Sequence, residues 1–322
     1  MTSNSDFFDK SKPVLVIGGR GFVGSHIVRA LIEAGIRVHV FGLPMEVDLL
    51  ADLAGRFDET FGSVLDEAAI GKAIDASGAA AIVTNAAFAD GKKGMMRSGD
   101  GDAKRAMEIN VEGFRLTLEA ARTRNIKRVI WSDSTVVYGP AALYAKDRVD
   151  ESDPRHPVTT YGLTKVLGED IAQYYRDRYA MDVVGLRMSL LLGADLWYQG
   201  AAHAITQTIA SARAGHRHKV SFHNERIDLM HVSDIARATL LALKSDRPLA
   251  PCYNVNGFTA CLSDIIDAVE TAVPGYRVDH DVIESPLIFP LISDAAFRSD
   301  TGYVPHYGLA DIVREFTQGS QS

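Results

Sequence analysis

Three side chains and one glycine-rich turn carry the chemistry legible in this chain. In "TTYGLTKVLGED", Tyr161 and Lys165 stand four apart, so a helix over 160–180 places them on one face. Ser134 lies 27 residues earlier, in "IWSDSTVVYG", where an apolar strand runs into hydroxyl residues at its carboxyl end. An ammonium beside a phenol favours the phenolate and draws its pKa down from about 10. Such a phenol can exchange a proton with a substrate hydroxyl or carbonyl, with a serine hydroxyl holding the same oxygen.

The turn is "PVLVIGGRGFVGSH", where Gly18, Gly21 and Gly24 form G-x-x-G-x-x-G between an apolar strand and an amphipathic helix. That placement bends the chain tightly, lets a pyrophosphate approach backbone N–H groups, and aims a helix N-terminus at it. Arg20, Phe22 and Val23 share the turn and are expected beside a dinucleotide; Gly24 is expected to keep clear the space that the pyrophosphate approaches. At the tip of the second strand, "RVHVF" runs into Gly42, Leu43 and Pro44 with no acid, whereas Arg20 has the chemistry to pair with a 2′-phosphate. The expectation is therefore NADP, with NAD the alternative and Glu46 and Asp48 near enough to favour it.

These residues need a scaffold. Short apolar strands are predicted at 14–17, 37–41, 80–83, 128–132 and 183–188, separated by helices near 22–35, 66–76, 103–124 and 160–180. The first helix buries Val23, Ile27, Ala30, Leu31 and Ala34 by its spacing. Apolar strands alternating with helices imply a parallel sheet covered on both faces, a doubly wound Rossmann α/β fold. Beyond residue 190 the pattern loosens, with helices near 233–244, 262–273 and 309–317. The expectation is a dinucleotide-binding domain over 1–188 and a smaller substrate lobe over 189–322, some of whose segments return to the sheet.

Composition narrows the function. A net charge of −7 and the short basic run 122–128 argue against nucleic-acid binding. Two cysteines, Cys252 and Cys261, are too few for a disulfide framework. The first residues have no apolar leader core, and no apolar run approaches a membrane span, so a soluble, cytoplasmic protein is expected. His216, His218, His223 and His231 cluster in sequence without metal-ligand spacing. Trp197 and Tyr198 fit either a pocket wall or packing within the lobe, as does Phe88.

Taken in order, the motifs resemble the extended short-chain dehydrogenase/reductases, the NAD-dependent epimerase/dehydratase family. "GGRGFVGSH" resembles the family's glycine loop, and "VTNAAFA" the segment whose Asn85, Ala86 and Ala87 would border the cofactor. "EINVEGFRLTLEAA" resembles its N-V-x-G helix, implying a structural or relay role for Asn110 in catalysis. "SDSTVVYG" and "PVTTYGLTK" place Ser134, Tyr161 and Lys165 at the catalytic positions, with Lys165 also gripping the nicotinamide ribose. "RIDLMHVSDIARA" and "YNVNG" resemble later family segments and imply that His231 opens a helix. In "GSVLD", Ser63 stands where the family usually has aspartate near the adenine, with Val64 beside it. Thr135 and Val136 replace the acidic pair of the 4,6-dehydratases; Ser189 replaces an asparagine of nucleotide-sugar enzymes, and Ile227 their arginine, with Arg226 one place off. The resemblance implies hydride transfer between NAD(P) and a secondary alcohol or ketone, with a nucleotide-sugar epimerase holding NAD as the alternative. It also implies a homodimer through the helices that carry Asn110 and Tyr161, acting on a small molecule.

Overall fold

The computed structural model describes residues 9, 11–91, 93–285 and 287–318. Its centre is a seven-stranded, all-parallel sheet. The strands are β1 (Val14–Ile17), β2 (Val38–Gly42), β3 (Asp58–Phe61), β4 (Ala81–Thr84), β5 (Arg128–Ser134), β7 (Asp182–Met188) and β11 (Cys252–Val255). Their order is β11-β7-β5-β4-β1-β2-β3. Strand order reverses between β1 and β4, and the crevice outside their carboxyl ends is where such sheets take ligands.

Alternation along each strand sorts the core into two layers. Val14 and Val16 face α1 (Phe22–Glu33) and α8 (Val232–Lys244), whereas Leu15 and Ile17 face α2 (Glu67–Ser77), α5 (Gly113–Thr123) and α6 (Thr160–Tyr179). On β5 the same alternation puts Ile130 in the first layer and Trp131 in the second.

Two sequence expectations are corrected, and two elements appear that the sequence pattern does not announce. β3 reads "DETF", mostly exposed, so it lacks the apolar pattern of the other strands and joins only as an edge beside β2. The helix expected over 103–124 is broken into α4 (Ala103–Met107), a wide π turn over Glu108–Glu112, and α5. A further helix, α3 (Met95–Gly101), hides in the glycine-rich "MMRSGDG" and packs on α6. Ala34 lies exposed just past α1, and Phe22 and Val28 take its place in the core.

The remaining elements build around the carboxyl end of the sheet. β8 (Leu190–Leu192), β10 (Ile227–His231) and β12 (Phe258–Ala260) form a small sheet, β9 (Arg217–Phe222) pairs with β13 (Arg277–Val282), and β6 (Arg148–Val149) with β14 (Leu291–Ile292). α7 (His203–Ala210), α9 (Leu262–Ala272) and α11 (Leu309–Gln318) enclose a separate core around Ile205, Leu262 and Ile312. α10 (Ala295–Thr301) packs Phe297 against Tyr253 of β11. No described helix is long and apolar enough to cross a membrane.

Candidate active site at the carboxyl end of the sheet

The glycine turn leaves β1 at Gly18, whose φ of +74° favours glycine and whose Cβ would crowd the Ala86 amide at 3.1 Å. Gly21 opens α1, whose first turn carries no acid to oppose an anion. Gly24 serves differently from the expectation. A Cβ there would be driven into the Gly18 carbonyl oxygen and come 2.7 Å from the Gly19 Cα. Its bareness lets the helix sit close on its own turn. Phe22 is buried with its ring edge-on to Trp197 and Tyr198, and Val23 is half-buried against the first core layer.

Arg20 is held by two carboxylates. Its Nε and Nη2 donate to Glu59 at 2.9 and 3.0 Å, and its Nη1 donates to Asp48 at 2.8 Å. The rings of Phe57 and Phe61 flank the same guanidinium. This arrangement lends the expectation of NADP no support: the cation is paired with two carboxylates. Glu59 sits on the unexpected edge strand β3. The Ser63 hydroxyl accepts from the Leu65 amide within its own turn, and Val64 packs against Gly113.

Across the crevice, Asn85 follows β4. Its Oδ1 accepts a short hydrogen bond from the Ser132 hydroxyl, while its buried Nδ2 has no hydrogen-bond partner among the described residues. Ala86 and Ala87 are half-buried beside it. A buried orphan donor opposite a glycine cradle and an acid-free helix N-terminus fits a dinucleotide. Asn110, turned inward by the π turn, accepts from the Phe88 amide at 2.7 Å and donates to Thr164 Oγ1 at 3.0 Å. It braces the β4 loop against α6 and makes no hydrogen bond to Tyr161 or Lys165 among the described residues. A cavity of about 10 Å³, the size of one water, lies between Asn110, Ser132 and Lys165.

Ser134 ends β5, buried, with its hydroxyl capping the short turn Thr135–Val137. Its hydroxyl lies near the phenol of Tyr161, which enters from the first turn of α6. Lys165, one turn on, donates from Nζ to the Ser132 carbonyl at 2.5 Å and lies 5.3 Å from the Tyr161 ring centre. Burial pushes the Tyr161 phenol above its ordinary value, Tyr198 and Asp133 push the same way, and Ser134 pulls back. The chain's own residues thus do not produce the depression expected from Lys165. Burial draws Lys165 itself down to about 8 against the opposing pull of Asp133. Of the 197–198 pair, it is Tyr198 whose phenol lies near enough to Tyr161 to push its pKa up.

Sequence reasoning missed Asp133, Glu169 and Arg187, which meet beneath Lys165. Glu169 stands eight residues after Tyr161, so the 161–165 spacing extended by one turn would have found it. His231 Nδ1 accepts from the Ser233 amide, capping α8, while its Nε2 pairs with Glu315 at 2.6 Å. Arg226 pairs with Asp147 at the surface, and Cys252 and Cys261 are both free thiols.

Comparison with known proteins adds to this geometry. A putative UDP-glucose 4-epimerase of Methanocaldococcus jannaschii is 25% identical over 313 residues, spanning 94% of this chain and 96% of the relative. An uncharacterised epimerase/dehydratase of Staphylococcus aureus is 24% identical over 221 residues, 65% of this chain and 67% of the relative. Among solved structures, the L-threonine dehydrogenase of Cupriavidus necator superposes with a TM-score of 0.83 at 20% identity, covering 96% of this chain and 100% of that one. The UDP-glucose 4-epimerase of Thermus thermophilus, solved with NAD, gives 0.80 at 22% identity over 95% and 99%. The two superpositions establish the fold. The NAD dependent epimerase/dehydratase family matches residues 14–255, and the chain belongs to that family.

Proposed function

We propose that this protein is an NAD-dependent dehydrogenase/reductase that interconverts a secondary alcohol and a ketone, with Tyr161 exchanging the proton. The observation that carries this reading is the meeting of Ser134 and Tyr161 at the carboxyl end of β5, with the Lys165 ammonium beneath them and the glycine turn beside them. In oxidation, the Tyr161 oxygen takes the proton of the substrate hydroxyl as the carbon gives up hydride. In reduction, it returns the proton to the carbonyl oxygen. Ser134 donates a hydrogen bond to that oxygen, and Lys165 stabilises the phenolate. Bound NAD supplies the hydride acceptor or donor. Gly18, Gly21, the α1 N-terminus, Asn85, Ala86 and Ala87 would hold it.

NAD rather than NADP follows from the Arg20–Glu59–Asp48 cluster, whose carboxylates favour a ribose hydroxyl and oppose a 2′-phosphate. Residues 1–188 would bind the dinucleotide, and 189–322 would supply most of the substrate wall, including Tyr198. The exposed Leu163, Tyr174 and Tyr179 on α6 suit a homodimer through α5 and α6.

A nucleotide-sugar epimerase is the second reading, favoured by the full-length likeness to the archaeal relative. Against it, Arg226 is paired with Asp147, and Ile227 stands where a diphosphate arginine is expected. L-threonine, after which several structural neighbours are named, carries a secondary hydroxyl and belongs in the first substrate panel. The test supplies secondary alcohols, amino-alcohols and sugars with NAD or NADP and follows nicotinamide absorbance. Net reduction of added NAD by an alcohol supports the reading. Epimerisation with no net change in added cofactor overturns it.

A further inference from the structure

The segment that carries Trp197 and Tyr198 begins in a tight turn. Gly193, Ala194, Asp195 and Leu196 form it, closed by the Leu196 amide donating to the Gly193 carbonyl at 3.2 Å. Gly193 is buried, and a Cβ there would come 2.8 Å from Val232 and 3.2 Å from the Phe22 ring. The chain therefore turns in the narrow space between α8 and α1. Ala194 and Asp195 are exposed and bring no apolar anchor of their own. Just beyond, Trp197 and Tyr198 set their rings edge-on to Phe22, with centres 6.4 and 6.3 Å away. The turn fixes where these two rings start, yet burial of its central side chains does not hold it.

A carboxylate from the far end of the chain does. One oxygen of Glu315, on α11, accepts from the Ala194 amide at 3.1 Å, and the other pairs with His231 Nε2 at 2.6 Å. His231 is 2% exposed, and its Nδ1 accepts from the Ser233 amide at 3.2 Å. That bond leaves the ring proton on Nε2, so a neutral imidazole donates to Glu315. Tyr307 stacks on the same ring with centres 4.1 Å apart. His231 is thus fixed on three sides, and Glu315 passes that fixity to an exposed turn. On the other flank, Asp195 comes only within 3.7 Å of His26.

Hydrogen bonds to an ionised acceptor are the strong ones, and two of them from separate elements lock those elements together. We propose that Glu315 is a positioning residue: through the Ala194 amide, α11 sets the turn that presents Trp197 and Tyr198 to the substrate. The proposal rests on the reading of Tyr198 as part of the substrate wall. Glu315 makes no hydrogen bond to Tyr161 or Tyr198 among the described residues, so it acts through the turn. The rival role is purely structural, with Glu315 serving only as the partner of His231.

Two variants separate the halves of this link. Ala194 stands at the second position of the turn without a positive φ, where proline is favoured. Ala194→Pro therefore deletes the amide donor and leaves the His231–Glu315 pair intact, whereas Glu315→Ala removes both bonds. Two readouts are taken on the full-length protein. One is KM and kcat for a secondary alcohol at saturating NAD. The other is acrylamide quenching of tryptophan fluorescence, which needs no turnover. The chain has two tryptophans and Trp131 is only 5% exposed, so added quenching reports on Trp197.

Each variant is expected to raise KM about five- to tenfold, to leave kcat within about threefold, and to increase quenching. The double variant should stay within about twofold of Glu315→Ala, because both changes act through one bond. Ala194→Ser keeps the amide and should match the parent; an equal loss there would trace the effect to the side chain and overturn the proposal. KM and quenching unmoved in Ala194→Pro, while Glu315→Ala changes only the melting temperature, overturn it as well. Should Glu315→Ala not fold, Ala194→Pro carries both readouts alone. A parent that turns over no secondary alcohol defeats the functional reading instead, and quenching in Ala194→Pro still decides whether Glu315 holds the turn.

Discussion

Two ionic clusters stand at opposite ends of the crevice and are built from the same parts. At one end Arg20 faces Glu59 and Asp48; at the other Lys165 and Arg187 face Asp133 and Glu169. The first is open to water, with Asp48 about half exposed, whereas Asp133 and Lys165 are almost wholly buried. In water such pairs are screened and contribute about 0–1 kcal/mol, so the outer cluster can shape ligand choice without holding the fold. In the interior, each unmatched charge costs several kcal/mol, so the inner cluster can shift ionisation where chemistry occurs. Position in the dielectric, rather than residue type, separates a selector from a tuner.

Lys165→Met tests the inner cluster most severely. It would remove both the cation proposed to stabilise the phenolate and the ribose contact that the family resemblance implies, so turnover should fall beyond the roughly 10²- to 10⁴-fold typical of one acid–base group. Burial holds Lys165 at about 8 in the folded chain, below its ordinary 10.5. Between those pH values the unfolded chain binds more protons, so parent stability rises with pH across that window. Lys165→Met should lack that rise, so its melting temperature should vary less with pH than the parent's between about 8 and 10.5. A melting scan at several pH values checks this.

Tyr161→Phe comes next in size. It keeps the ring and its packing, so NAD should still bind while turnover falls about 10²- to 10⁴-fold. Single-turnover kinetics with titrated NAD check this, and near-parent activity would return the site to a structural role. Gly24→Ala disturbs neither cluster and sharpens the contrast by acting through backbone alone. The added methyl has no space above the Gly18 carbonyl, so the variant should lose about 1–3 kcal/mol of stability and bind NAD more weakly. Denaturant unfolding and NAD titration measure both.

The outer cluster should give the smallest effect. Glu59→Gln is expected to shift preference toward NADP by about tenfold, since it frees Arg20 and removes an opposing charge. Arg20→Ala should not by itself favour NAD. The ratio of kcat/KM for the two cofactors, at low and high salt, reports this, and screening should shrink the difference. A parent enzyme that prefers NADP would assign Arg20 the role first expected from sequence.

What the sequence displays depends on how each part is encoded. The buried parallel strands β1, β4, β5 and β7 announce themselves as apolar runs, and the glycine turn and the Tyr161–Lys165 spacing are local patterns. Glu59 was hidden because an edge strand needs little burial, so "DETF" carries no strand signature. Asp133 was hidden by alternation: it adjoins Ser134 in sequence, yet its side chain points to the other face of the sheet. Arg187 and Glu169 meet only through the packing of α6 on β7. Side-chain partners brought together from distant segments leave no spacing to read.

The wide turn at Glu108–Glu112 has a consequence for how this gene can vary. Each residue advances an α-helix by 100°, so a single codon lost from this stretch would favour a regular helix and rotate everything after it. Phe114, Leu118 and Ala121, now under the sheet, would swing toward solvent, and Asn110 would leave the β4 loop. A length change here should therefore cost more than a substitution at the exposed Glu112. Among relatives, a one-residue gap here should mark chains that have abandoned the activity, even where tyrosine and lysine are both retained.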